Sequence, residues 1–430
     1  LASRVITTGS NNVSVGAGGN LGANTTGASN VAVGYASLSG NTTASNNVAV
    51  GFNSLGANTT GGDNTASGYD SLGDNTTGSF NSGVGYEALA RNTTASNNTA
   101  MGYRSLKTNT TGGSNIAIGT AALQANTTGS NNIGMGYHSL VSQTTGDNNV
   151  AIGFTAGHDM SSGHSNVFMG TQAGYANTTG FENSAFGFNA LDANTTGDNN
   201  TAIGRLALTS NTTAGSNTAV GIAALQTSTT GANNTAVGVS AGNVLTTGTN
   251  NTFIGYQAGS TRTTGGGNVC IGYRAGHDGT TSSDLLFIAR NNTGPSNAAT
   301  WIFGDDAGAC RQGNNATTWT QTSDERIKKN IVDSPNGLAK IDALQVRNFN
   351  YRTEAEITVE GLTGCDATGL QVGVIAQEIE AVLPEAVSES DSGQKQVQTD
   401  PIFWSMVKAI QELSTQNAAL AARLTTLEEG

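Results

Sequence analysis

The chain has 430 residues, of which 11% are charged and 59 are glycine, and its formal net charge is −12 at pH 7. So little charge and so much glycine are foreign to an ordinary globular enzyme, and the low charge also separates the chain from disordered tails. The charge is regional: residues 1–300 carry 8 basic and 11 acidic side chains, residues 301–430 carry 10 and 19, and no basic stripe offers a site to nucleic acid.

The chain begins with Leu1, part-way into a repeat, and reads as the C-terminal portion of a longer protein whose attachment domain precedes it. No apolar run is long enough to span a membrane, and no signal peptide is expected. From Gly34 to Gly272 a glycine recurs every seventeen residues, with Gly16 ahead of the series at a spacing of eighteen. A fixed period of this kind means one structural unit stacked on copies of itself.

In the unit 46–62, Val48 and Val50 alternate with Ala49, the pattern of a short strand with one buried face. Gly51 permits a turn, Leu55 adds an apolar anchor, and Asn58-Thr59-Thr60-Gly61 closes the unit with turn chemistry. Seventeen residues suffice for a coil of two short strands and two turns. Each strand then pairs in parallel with its copy, at about 4.8 Å per coil, so that sixteen coils give a rod of about 75 Å. Stacked Asn and Thr are expected to pair their side chains in ladders. One coil holds little apolar volume, so a thin solenoid gains by sharing its apolar side with identical neighbours. A homotrimer is the expected assembly. The Asn-Thr-Thr triplets, such as 58–60 and 126–128, also read as glycosylation acceptors, although the repeating turn already explains them. His158, His164 and His277 read as turn residues before metal ligands; no metal site and no cofactor is expected. Cys270, Cys310 and Cys365 lie far apart without metal-ligand spacing and read as buried or free thiols.

The Asn-x-[Val/Thr]-Ala-[Val/Ile]-Gly unit resembles the head coil of trimeric autotransporter adhesins, a parallel β-roll, and the shaft repeats of phage tail fibres. The resemblance covers about 10–280 and departs from the pattern at 155–165 and 273–283. It implies architecture more than activity. A flat threonine face also fits ice binding, against which the bulky, variable residues after the glycine (Phe52, Arg205, Ile222) tell.

Past 284 the period stops. Residues 285–290 read as a strand, and Pro295, Trp301, Phe303 and Trp319 suggest a compact tip over 284–322. Then come Ser323-Asp324-Glu325-Arg326-Ile327-Lys328-Lys329-Asn330-Ile331, Phe349-Asn350-Tyr351, residues 373–379, and Leu383-Pro384-Glu385-Ala386-Val387. Together with a terminal helix, these resemble the endosialidase-type intramolecular chaperone, an autocleaving domain of phage tailspikes and fibres. The resemblance implies a cut at the Thr322–Ser323 bond, with Ser323 as nucleophile and Lys328 as its base. Lys328 can accept a proton only if burial lowers its pKa; the plainer reading makes Ser323 a helix cap and Lys328 a surface charge. Over 401–430, Phe403, Ile410, Asn417 and Leu424 fall at heptad position a, and Met406, Leu413, Leu420 and Leu427 at d, the pattern of a coiled coil.

The expected organisation is therefore mostly β: a 17-residue-repeat β-solenoid shaft (1–283), a tip (284–322), an α+β chaperone (323–400) and a coiled-coil helix (401–430). The function this organisation suggests is a trimeric, extracellular phage tail fibre that binds a host-surface receptor, a glycan or outer-membrane component. The segment 284–322, or the residues after each glycine, would make that contact, and other tail proteins would join through the missing N-terminal part. The alternatives are a bacterial surface adhesin with the same coils, a structural fibre, or part of a glycan-degrading tailspike. Neither nucleic acid nor membrane insertion is expected.

Overall fold

The computed structural model describes residues 8–276, 281–289, 300–304, 310–312, 334–335, 337–352, 356–357, 369–389 and 395–429. The chain divides into two units, Leu1–Thr320 and Gln321–Gly430.

The first unit is a parallel β-solenoid. Its strands are β1 (Val13–Ala17), β2 (Val31–Tyr35), fourteen three-residue strands from β3 (Val48–Val50) to β16 (Val269–Ile271), and β17 (Leu286–Ala289). Each pairs in parallel with the next within one sheet. The register follows the sequence period: Val48 faces Thr65, while Val13 faces Val31 across the one longer coil.

Each coil holds one strand rather than the expected two. The Asn-Thr-Thr side still stacks, with Thr59 N–H donating to the Thr76 carbonyl at 2.8 Å, but Thr60 N–H shares that acceptor at 3.3 Å. Two donors on one carbonyl give a stacked turn, not the alternating ladder of a strand.

The buried face of the strand belongs to its small residue. Ala49 is fully buried, whereas Val48 and Val50 are 36% and 39% exposed. The coil is too narrow for a branched side chain there, because Leu55, Ser54 and two asparagines already fill it. Leu55 holds a left-handed backbone, φ 49°. That conformation costs a side chain about 1–2 kcal/mol, which complete burial of leucine, worth about 1.5–3 kcal/mol, offsets.

Where the leucine is missing, the strand compensates. Gly157 and Gly174 stand at the leucine position of two successive coils, and Phe168 replaces the strand alanine between them, fully buried. A Cβ on Gly174 would meet the Phe168 ring at 2.6 Å. Phe253 repeats the exchange between Gly242 and Gly259. Interior volume is conserved while its source moves from turn to strand. The period-defining glycine answers a different demand. Gly119 has φ 129°, and a Cβ there would lie 2.5 Å from the Gly136 carbonyl oxygen, so both backbone and space exclude a side chain.

Two asparagine columns make the core polar, and their amides hydrogen-bond from coil to coil. In the column before each strand, Asn132 Oδ1 accepts the Asn149 N–H at 2.9 Å, and Asn132 Nδ2 donates to the Gly146 carbonyl at 2.8 Å. In the second column, Asn58 Nδ2 donates to Asn41 Oδ1 at 3.1 Å and to the Gly61 carbonyl at 2.9 Å. The second column breaks at Gln143 and at Ser228, leaving Asn126 Oδ1 and Asn211 Oδ1 without partners. The expected threonine ladder takes another form: Thr59 Oγ1 donates to the Thr76 backbone carbonyl at 2.9 Å, not to a hydroxyl.

Adjacent asparagines therefore differ in consequence. Asn132→Ala orphans the buried Asn149 N–H, about 1–3 kcal/mol, while the Gly146 carbonyl keeps its hydrogen bond from Gln143 Nε2 at 2.6 Å. Asn131 is exposed with φ 58°, a conformation glycine adopts freely, so Asn131→Gly is expected to change little. Thermal unfolding of the two variants checks this: the midpoint falls for the first and stays for the second.

The parallel stack ends with the period. Strand β17 pairs antiparallel with β18 (Thr300–Gly304), which pairs antiparallel with β19 (Cys310–Gln312).

The second unit is small and α+β. It contains α1 (Leu338–Ala343), β20 (Arg347–Phe349) paired antiparallel with β21 (Gln371–Gly373), and α2 (Ala376–Val382). A 3-10 turn (Pro384–Ala386) leads to β22 (Val387–Glu389), paired antiparallel with β23 (Lys395–Val397), and α3 (Thr399–Glu428) closes the unit. Ile379, Leu383 and Ala386 form its core, against Leu344, Val374 and Ile402 among others.

Candidate functional site

Thr322, Ser323 and Lys328 lie outside the described residues, as do His277 and Cys365. What the structure describes is the scaffold that follows them in sequence. Helix α1 is too short to be stable alone, and α3 ties it down: the Leu338 N–H donates to Glu412 Oε2 at 2.8 Å. Lys340 Nζ donates to the Val382 carbonyl at 2.6 Å, joining α1 to the end of α2. Arg347 grips Glu378 with two hydrogen bonds, 3.0 and 2.7 Å, tying β20 to α2. The hydrogen bond from Arg347 holds the Glu378 carboxyl below the usual carboxylate range. In the same way the hydrogen bond to Glu380 raises Lys395 above the ordinary lysine value.

Helix α3 has two distinct faces. Ile402, Ser405, Ala409 and Glu412, spaced three and four apart, are buried or half-buried. The heptad residues Phe403, Met406, Ile410, Leu413, Leu420, Leu424 and Leu427 are all exposed, and Asn417 is exposed among them. A helix that merely packed on its own domain would bury that apolar face. This one buries a serine and an alanine instead.

The solenoid carries a second unpartnered apolar surface. The aliphatic residues flanking each strand alanine point outward, among them Met101, Ile203, Val237 and Ile254. Beside them runs the column after the repeat glycine. There Tyr35, Phe52, Tyr69, Tyr86 and Tyr103 stack in sequence, with centroids 5.2, 5.1, 5.0 and 5.4 Å apart. Their faces lie against one another, so it is their edges that meet solvent. The residues after each glycine thus form one column, mostly apolar and interrupted by Thr120, Thr171 and Arg205, not a set of separate loops.

The other candidates from the sequence find structural places. His158 Nδ1 lies 2.7 Å from Asp159 Oδ1 and its ring stacks on Tyr175; His164 stacks on Phe181. Among the described residues no group of three or more His, Cys, Asp or Glu is arranged to hold a metal ion. Cys270 is free and buried at the strand-alanine position, and burial pushes its thiol up to about 11. The Asn-Thr-Thr asparagines, Asn58 and Asn126 included, are fully buried and their amides donate inside the coil, which closes them to glycosylation. Among the described residues no helix is long and apolar enough to cross a membrane.

Sequence reasoning missed the outward valines, the capping Glu412 and the second face of α3. The first had a visible signal. The strand alanine gives way to a large residue, Phe168 or Phe253, only where neighbouring leucines become glycine, which marks it as the size-limited, inward position.

Residues 323–388 match the family described as chaperone of endosialidase. The match opens on Ser323 and ends inside β22. No solved structure matches the chain.

Proposed function

We propose that the chain is the shaft and C-terminal intramolecular chaperone of a homotrimeric phage tail fibre, displayed outside the cell on the virion tail. The observation that carries this reading is the exposed heptad face of α3, separate from the face that packs on its own domain. Three such helices bury their a and d residues together, with Asn417 fixing register at some cost in stability. The outward aliphatic and aromatic columns of the solenoid give the copies a second shared surface. Apolar columns left open on one chain in this way mark a surface for association.

The chaperone then cuts itself off. The Ser323 hydroxyl oxygen attacks the Thr322 carbonyl carbon while Lys328 takes the hydroxyl proton and delivers it to the departing Ser323 amide nitrogen. The resulting ester is split by water, leaving a Thr322 carboxylate and a free Ser323 amino group. The segment 284–322 becomes the new end of the fibre and the surface offered to a host receptor, a glycan or outer-membrane component. The N-terminal end meets other tail proteins. Neither nucleic acid nor membrane insertion has a part in this reading.

Charge in the heptad core tests the assembly. The double variant Leu413→Glu, Leu420→Glu leaves the domain-facing residues of α3 untouched. It is expected to convert trimers to single chains on light scattering after gel filtration. A trimer that survives both charges would refute this role for α3.

A further inference from the structure

We propose that the trimer binds a small inorganic oxyanion, phosphate or sulfate, between three copies of Arg205; this rests on the homotrimer proposed above. In the column after the repeat glycine, from Tyr35 to Tyr273, Arg205 is the single charged residue. It is exposed, and among the described residues its guanidinium has no hydrogen-bond or ion-pair partner. Phe188 and Ile222, the residues before and after it in the column, are exposed and apolar, as is Ile203 beside it.

No carboxylate stands on this face of the neighbouring coils. The outward strand positions there are Ser184, Phe186, Thr201, Ile203, Thr218 and Val220. The nearest acids in sequence belong to other columns. Asp198 accepts the Phe181 N–H at 2.9 Å, and Asp192, five residues past the repeat glycine, has its carboxyl raised by burial.

Symmetry does the rest. A threefold axis along the stack sets each residue level with its own copies, so a shared face carries three guanidiniums at one height. Tyrosines or isoleucines meeting there attract. Three unpaired cations repel, and more strongly as water leaves. An oxyanion accepts hydrogen bonds from several guanidinium forks at once and cancels the repulsion, which is the pairing arginine suits best. The site is incomplete in one chain and is built by assembly. It also ties register to the ion, because a slip of one coil carries Arg205 to the level of a neighbour's Phe188 or Ile222.

The test compares thermal dissociation of the full chain with that of Arg205→Tyr, which installs the residue other coils use. Both are followed in sodium phosphate and in sodium chloride at equal ionic strength. Phosphate stabilises folded proteins generally, so the difference between the two proteins is the readout. A saturable rise of the wild-type midpoint with phosphate, absent from Arg205→Tyr, supports the site. Parallel rises in two trimeric proteins overturn the anion site and leave the trimer standing. A single-chain mass by light scattering overturns the trimer, and the site with it.

Discussion

Deleting residues 323–430 is expected to leave the repeats insoluble or monomeric. The reason lies in the regularity that makes the solenoid. Successive coils present nearly the same outward residues, as in the run Met101, Ile118, Met135, Ile152 and Met169. Chains offset by one coil therefore make contacts almost as good as aligned ones, and within the repeats only the single coil that carries Arg205 opposes the slip. Three separate chains must also find each other with long apolar columns open, a state prone to aggregation. The proposed C-terminal bundle would solve both problems. It would fix the three ends at one level and bring the first coils to an effective concentration in the millimolar range. Coils would then add from a defined start. Soluble, correctly sized trimers from the truncated chain would remove the need for a chaperone.

Ser323→Ala is expected to abolish self-cleavage while leaving assembly intact. In the proposed chemistry the serine hydroxyl is the attacking group, and alanine offers no oxygen to replace it. Lys328→Ala should slow or stop the same cut by removing the base. Intact-mass measurement separates the outcomes: the wild type yields a fragment running from Ser323 to Gly430, and the alanine variant yields the whole chain. Loss of the chaperone after folding would leave the fibre without its means of refolding, so its persistence becomes a matter of unfolding rate. A wild-type chain that stays whole, or a Ser323→Ala chain that is cut, would contradict this chemistry.

Much of the fold can be read from spacing because each coil faces its own copy. A strict period sets parallel pairing and register together, and the pairing of Val48 with Thr65 follows that period. Hydrophobicity misleads about which side is in. Valine is the more apolar residue, yet Ala49 is buried, because a coil of seventeen residues limits width before it rewards apolarity. The single strand per coil was equally hidden, since Asn-Thr-Thr stacks through shared carbonyls that no propensity reports.

In the second unit the heptad of α3 stands out in the sequence through its three-four spacing. Its packing face does not, since Ser405, Ala409 and Glu412 resemble any solvated helix surface. The cap that Glu412 gives α1 spans 74 residues of sequence and leaves no local trace. Ser323 and Lys328 were legible only as members of an ordered set of motifs, and the family match opens on that serine. Spacing names such residues; their distances are a property of the fold.

Assembly of this chain with two others through its C-terminal helix can be measured by light scattering of the uncleaved Ser323→Ala chain. The expected value is three times the 43.3 kDa chain mass, falling to a single chain mass when the heptad leucines are charged. A single-chain mass for the uncleaved protein would contradict it.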